Sequence, residues 1–218
     1  MKKSNCHTVY IGLESINPQT LKAYNKKQSV EDIHNCIKVL HKNRIRIHGM
    51  FVFGSDMDTT DTIDETVKFA KKNNLESVQF LILTPLPGTK CFNDLNAEGR
   101  IITKDWALYD AHHVVYEPKL MSYYDLQAET MMATKEFYSI WQIAKSSLRL
   151  DLFNVGIRTY GHTLTKQWIK KNQYFVEYTR AVTKAGRHIE LAAKKTAEDI
   201  KEKFRQMEIS GDIRLLKN

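Results

Sequence analysis

Apolar and polar positions alternate along three stretches of the first half of the chain, and the segments between them follow a helical step. In Thr8-Val-Tyr-Ile-Gly-Leu-Glu14, Val9, Ile11 and Leu13 share one strand parity while Tyr10, Gly12 and Glu14 share the other. A second strand, Arg44 to Gly54, puts Ile47, Phe51 and Phe53 on one face and His48, Met50, Val52 and Gly54 on the other. Glu76 to Leu83 is the third, ending at Thr84-Pro-Leu-Pro-Gly-Thr89. Between the first two strands, Asn17-Pro18 starts a short helix through Leu21 and Tyr24, since Pro is tolerated in a first turn. Ser29, with Asp32 three residues on, then caps a longer helix whose stripe is Ile33, Cys36, Ile37 and Leu40. Ile63, Val67 and Ala70 mark another helix, and a last one runs around Phe92 to Leu95. Strands beginning near residues 7, 45 and 76 with helices between them predict right-handed βαβ crossovers and a parallel sheet. Three strands cannot close a barrel, which needs about eight; the unit is half of something, or an open sheet.

The second half reads differently. His112-His-Val-Val-Tyr116 reads as one more short strand ended by Glu117-Pro118. From Ser122 the pattern is helical: Tyr124, Met131 and Tyr138 recur by sevens beside Phe137, Trp141 and Leu148, which predicts one long core-facing helix. A break at Gly156 to Gly161 is expected. Further helices then run through Trp168, Phe175 and Val182, and through Ile189, Ala193, Ile200 and Phe204. The boundary falls near 118–121, giving an α/β region at 1–120 and a helical region at 121–218.

Composition adds three points. At 218 residues and 42% hydrophobic content the chain can bury a core. Its formal charge of +8 permits phosphate or nucleic acid as partner without requiring either, and residues 162–218 hold thirteen basic against seven acidic residues, most of that excess. Cys6, Cys36 and Cys91 have no metal-ligand spacing and read as reduced thiols of a cytoplasmic protein. No apolar run approaches the roughly 20 residues of a membrane span.

Chemistry centres on Glu14. A buried parallel strand is apolar on both faces, so an acid at its carboxyl end is out of place in a plain core, and that end is where ligands bind in α/β folds. A Glu that caps the next turn or faces solvent is the alternative. His112 and His113 are adjacent on a strand and so point to opposite faces, which disfavours a shared metal ion. His48 reads as a satisfied interior histidine. Asp56-Met-Asp58 reads as a solvated turn capping the helix from Thr59 or Thr60, ahead of a cation site.

Taken together, Val9-Tyr-Ile-Gly-Leu-Glu-Ser-Ile-Asn-Pro18, Asn25-Lys-Lys27, His48-Gly-Met-Phe-Val-Phe-Gly54 and Leu83-Thr-Pro-Leu-Pro-Gly-Thr89 resemble the second half of a radical S-adenosylmethionine (SAM) barrel, of the class carrying an N-terminal cobalamin-type domain. Asp105-Trp-Ala-Leu-Tyr109 and Pro118-Lys-Leu-Met-Ser122 resemble the segment after the barrel in that class, so the likeness covers about residues 6–140. The resemblance implies an α/β fold: a partial (βα) TIM-like half-barrel with three parallel strands, followed by an all-α C-terminal tail. In the family a [4Fe-4S] cluster on Cys-x3-Cys-x2-Cys cleaves SAM reductively to a 5′-deoxyadenosyl radical. By resemblance, Glu14 and Ser15 fall near the SAM ribose and Lys26 near the methionine carboxylate. Gly54 borders the nucleoside, and Thr84 and Pro85 lie near the adenine. Met50 stands where some relatives have an Asp on this strand, a departure at the ribose. The cluster motif and first three strands have no counterpart in this sequence. The chain is therefore expected to act with an N-terminal half-barrel supplying cluster and cobalamin domains, as part of a methyltransferase or cyclase acting on a small molecule. The alternatives are an inactive remnant and a basic helical nucleic-acid module built on Trp168, Tyr174, Phe175 and Tyr178.

Overall fold

The computed structural model describes the backbone of residues 2–210 and their side chains, except those of Lys2 and of several residues from 190 onward. Ala193, Ile200 and Phe204 of the expected apolar pattern lie outside the described side chains. Three strands, β1 (Thr8–Glu14), β2 (Arg46–Phe53) and β3 (Ser77–Ile82), form one sheet in that order. Both pairings are parallel, with Val9 opposite Ile47, Tyr10 opposite His48 and Phe51 opposite Phe80. The crossovers are α1 (Pro18–Ala23) with α2 (Val30–Lys42), and α3 (Thr60–Lys72); α4 (Lys90–Ala97) follows β3.

Local chemistry sets the helix ends. Asn17 caps α1 by accepting from the Gln19 N–H, and Ser29 and Asp32 make a reciprocal capping box at the start of α2. Each of these helices ends on a residue in left-handed conformation, Asn25, Arg44 and Asn74 for α1, α2 and α3. The next N–H then reaches back to a carbonyl of the last turn: Lys26 to Leu21, Ile45 to Leu40, Leu75 to Ala70. These closures turn the chain into the following segment and, after α1, hold Lys26 at the end of β1.

Strand parity divides the sheet into unlike faces. Leu13, Ile47, Phe51, Phe53, Phe80 and Ile82 are buried against Ile33 and Ile37 of α2 and Ile63, Val67 and Ala70 of α3. On the other face Tyr10 is 72% exposed, and His48, Met50, Val52, Gln79 and Leu81 are half-buried. A sheet with one helix-covered face and one open apolar face is a half-barrel wall, as expected. Cys36 is exposed and does not join the α2 stripe, because it sits one step round the helix from Ile33 and Ile37.

Beyond the sheet the expected elements change in four places. His112–Tyr116 is no strand; Tyr116 makes an isolated antiparallel bridge to Ile101, and the Gln127 side chain holds His112 and Val114 by their backbones. The long helix divides into α5 (Tyr123–Phe137) and α6 (Ile140–Leu148), with Ser139 as the new N-cap, and Trp141 and Leu148 face outward instead of inward. No break occurs at Gly156–Gly161, nor between the later segments: α7 runs from Leu152 to Ser210. A Cβ at Gly161 would lie 2.4 Å from the Tyr138 ring, so this glycine serves close approach, not helix breaking. Met1–Val176 makes one compact unit, and α7 beyond it belongs to a second. Among the described residues no helix is long and apolar enough to cross a membrane.

α5 packs on α3 and β3. Tyr138 then closes the outer edge of the sheet, its hydroxyl donating to the Val78 carbonyl at 2.8 Å and accepting the Val78 N–H at 2.9 Å. Ile82 donates to Ala111 on the same edge. Among the described residues the β1 edge is thus left as the open one. Tyr138→Phe should cost about 1–3 kcal/mol, the penalty of a buried N–H without a partner, read as a lowered urea midpoint with unchanged slope. An unshifted midpoint would mean that solvent reaches Val78.

Candidate functional site

The carboxyl ends of the three parallel strands meet at one rim, and the acid expected there is present. Glu14 ends β1 just past a register shift between Gly12 and Glu14, in left-handed conformation at φ 62°. That irregularity folds its side chain back over the open face: a Cβ at Gly12 would meet Glu14 Oε1 at 2.6 Å. Glycine at position 12 therefore leaves the carboxylate its place on the inner wall instead of in bulk water. Lys26 Nζ meets the same Oε1 at 2.9 Å, and both side chains stay partly exposed. Ser15, next along, is buried and accepts from the Asn17 N–H at 3.0 Å.

Of the other expected residues, Met50 is half-buried on the open face, in register with Gly12 and Gln79. Gly54 follows β2 at φ 101°, its carbonyl accepting from the Tyr116 hydroxyl. Thr84 is half-buried and donates to the Ile82 carbonyl, and Pro85 is buried beside it. The structure thus brings Glu14 and Lys26 into contact. It places Gly54, Thr84 and Pro85 at the ends of the neighbouring strands with no bond to that pair.

The loop after Gly54 departs from its expected character as a solvated turn. Asp58 is fully buried, accepting from Thr20 Oγ1 at 2.6 Å and from the N–H groups of Gly54 and Ser55 at 3.1 and 3.0 Å. Burial raises its carboxyl above the ordinary value, and those three donors offset part of the rise. Asp56 is held by Arg100 at 2.5 Å and Lys119 at 2.9 Å. Burial works to raise Asp56, but the two cations outweigh it and leave the carboxyl low. Neither acid is free to take a cation.

Three features were missed in the sequence. Asp58 ties α1 to the end of β2, and nothing in a local pattern signals a contact with Thr20. The Tyr24 hydroxyl is buried without a hydrogen-bond partner among the described residues, with burial first and then the Asp58 charge raising its pKa. Across the open face Tyr10, His48 and Ser77 form a row, with Tyr10 and His48 rings 4.5 Å apart and His48 Nδ1 2.8 Å from Ser77 Oγ. Burial lowers the His48 imidazole, against a hydrogen bond to Gln79 that works the other way. His48 is a satisfied histidine, as expected. His113 is occupied too, by Asp110 and Asn172.

This rim suits a zwitterionic, hydroxyl-bearing ligand: a carboxylate accepts from hydroxyls, an ammonium pairs with a carboxylate, and an orphaned phenol stands near. It does not suit an iron–sulfur cluster. Among the described residues no three His, Cys, Asp or Glu side chains come together as metal ligands, and the cysteines belong to separate segments, before β1, within α2 and within α4.

Comparison with known proteins bears on the same region. Residues 1–70 match the family model of the radical SAM superfamily. The bacteriochlorophyllide d C-8(2)-methyltransferase of Chlorobaculum tepidum is 40% identical over 127 residues, 55% of this chain and 28% of that protein. The bacteriochlorophyllide d C-12(1)-methyltransferase of the same organism is 34% identical over 137 residues, 62% of this chain and 30% of the relative. The anaerobic magnesium-protoporphyrin IX monomethyl ester cyclase of Rubrivivax gelatinosus is 24% identical over 137 residues, 63% of this chain and 24% of the relative. The chain spans under a third of each of these relatives. From β1 into α3, where the rim is built, this chain is similar to the radical SAM superfamily.

Proposed function

We propose that this chain forms the SAM-binding carboxyl rim of a radical SAM methyltransferase acting on a small molecule. Lys26 pairs with the methionine carboxylate of SAM, and Glu14 accepts from its ribose hydroxyls. Ser15 and Gly54 border the nucleoside, and Thr84 and Pro85 border the adenine. Met50 lines the inner wall beside them, an apolar neighbour in place of a second acceptor. Bound SAM supplies the activated group that is transferred. The observation that carries this reading is the Glu14–Lys26 pair on the open face of the sheet. Methyl transfer is favoured over ring closure because three relatives above 30% identity are named methyltransferases.

An N-terminal half-barrel, on this chain's own continuation or on a partner chain, completes the wall and brings the cluster ligands that these residues do not provide. The open β1 edge and the exposed Tyr10 are where it joins. Cobalamin, expected of the class, belongs with that half.

SAM binding to the chain, followed by equilibrium dialysis, tests the reading. Glu14→Gln and Lys26→Gln should each weaken it by about tenfold or more, since each removes a charged hydrogen-bond partner. Both are partly exposed, so melting temperatures without ligand should hold. Equal affinity in the wild type and both variants would overturn the assignment.

A further inference from the structure

The amino-terminal end of the sheet, opposite the rim, has surface chemistry of its own. α6 and the start of α7 expose Ile140, Trp141, Leu148, Leu150 and Leu152, at 69%, 71%, 84%, 84% and 81%. Five large apolar side chains so open within residues 140–152 exceed the scattered single exposures of an ordinary surface. Cations stand among them: Lys145 and Arg149 are exposed, and neither is ion-paired among the described residues.

The same two cations line a small cleft with Lys71, Arg158 and Asp151. Arg158 is only 6% exposed and meets no carboxylate at ion-pair distance among the described residues. It donates weakly, to the Leu75 carbonyl at 3.3 Å and to Gln142 Oε1 at 3.4 Å, and lies 5.0 Å from the Phe137 ring centre. Its Nε has no partner among the described residues. A buried guanidinium left this way asks for an anion. Asp151 does not supply it by direct contact, being bonded to the Asn154 amide and side chain at 3.1 and 2.7 Å, and Lys71 is taken by Glu136. The void is about 30 Å³, room for one or two oxygens and not for a whole soluble ligand.

We propose that this corner seats on an anionic membrane surface, with Trp141 and the leucines entering the acyl boundary while Lys145, Arg149 and Arg158 receive the phosphate oxygens of a lipid headgroup. Charge and apolarity interleaved along one short segment, α6 and the turn into α7, with a tryptophan among them, are the marks of an interfacial anchor. The N-terminal half-barrel proposed above is not the occupant, because on that reading it continues the sheet from the β1 edge, whereas this corner adjoins α3 and the start of β3. The anchor leaves the rim at the opposite end of the sheet clear.

Co-sedimentation of the full chain with vesicles tests this. The protein should pellet with equimolar phosphatidylglycerol and phosphatidylcholine and only weakly with phosphatidylcholine alone. Leu148→Ser/Leu150→Ser, which leaves the charge unchanged, should lower the affinity by about tenfold or more, and Lys145→Gln/Arg149→Gln by a similar factor on anionic vesicles. All four side chains are exposed, so the melting temperature should stay put. Undiminished pelleting of the serine variant would reduce the effect to general attraction by a basic protein and overturn the proposal. So would binding of inorganic phosphate without vesicle binding, or concentration-dependent self-association abolished by the same serines in a protein that ignores vesicles.

Discussion

Gly54→Ala should be among the most damaging single changes in the chain, costing about 3–5 kcal/mol of stability. Two penalties combine. At φ 101° the backbone lies where side chains are strained, and an added Cβ would sit 2.2 Å from the Tyr116 hydroxyl and 2.8 Å from Leu126 Cδ2. Neither neighbour moves cheaply. Tyr116 is fully buried and its hydroxyl donates to the Gly54 carbonyl, while Leu126 sits at 0% exposure in the core. Displacing Tyr116 also strips that carbonyl of its donor. Gly99→Ala separates the terms: its φ is 69° and nothing lies within 4 Å of the added Cβ, so it should cost only about 1 kcal/mol of backbone strain. Urea denaturation of the two variants reads the difference directly. A Gly54→Ala cost equal to that of Gly99→Ala would mean that Tyr116 yields freely, and that the rim at the end of β2 is not clamped from behind.

A physical division separates the features the sequence discloses from those it withholds. Features fixed within a few residues were legible: the Ser29–Asp32 box, the Asn17-Pro18 helix start, and the parity that sends Ile47, Phe51 and Phe53 inward. A lone acid at a strand end was legible too, because Glu14 breaks an apolar pattern at the position where α/β folds bind ligands. Lys26 needed the family likeness, since its meeting with Glu14 depends on how α1 ends. The misread features all depend on partners far along the chain. Gly161 resembled a helix breaker because its real role, receiving the Tyr138 ring, is a tertiary contact. Tyr138 is the core position its seven-residue stripe predicts, but the stripe did not disclose that its hydroxyl caps a strand edge 60 residues away or that the helix stops there. Asp58 looked like loop acid for the same reason: Thr20, its side-chain partner, is 38 residues upstream.

Asp58 supplies the sharper test of how the rim is held together. Its carboxylate accepts from Thr20 in α1 and from two N–H groups at the end of β2, so one buried side chain joins the two loops that carry the candidate ligand-binding residues. Asp58→Ala leaves three buried donors unpaired and should cost about 3–5 kcal/mol at low pH, where the wild-type carboxyl contributes fully. Asp58→Asn behaves differently. Its carbonyl oxygen still accepts from Gly54 and Ser55, and its amide donates to the Thr20 hydroxyl, which turns to accept. The sign of the pH effect then comes from burial. The folded carboxyl titrates above its ordinary 3.8, so between that value and its folded pKa the native state holds more protons than the unfolded chain. Stability from this group is therefore fully present below 3.8 and declines as pH rises through the folded pKa. The asparagine variant, which does not titrate there, should gain on the wild type over that window and hold its gain up to neutral pH. Paired urea titrations from pH 3 upward, roughly the range in which both proteins fold, would measure the gap. A gap that stays constant, or that closes with rising pH, would show that the three donors outweigh burial and that Asp58 is anchored as a stabilised carboxylate.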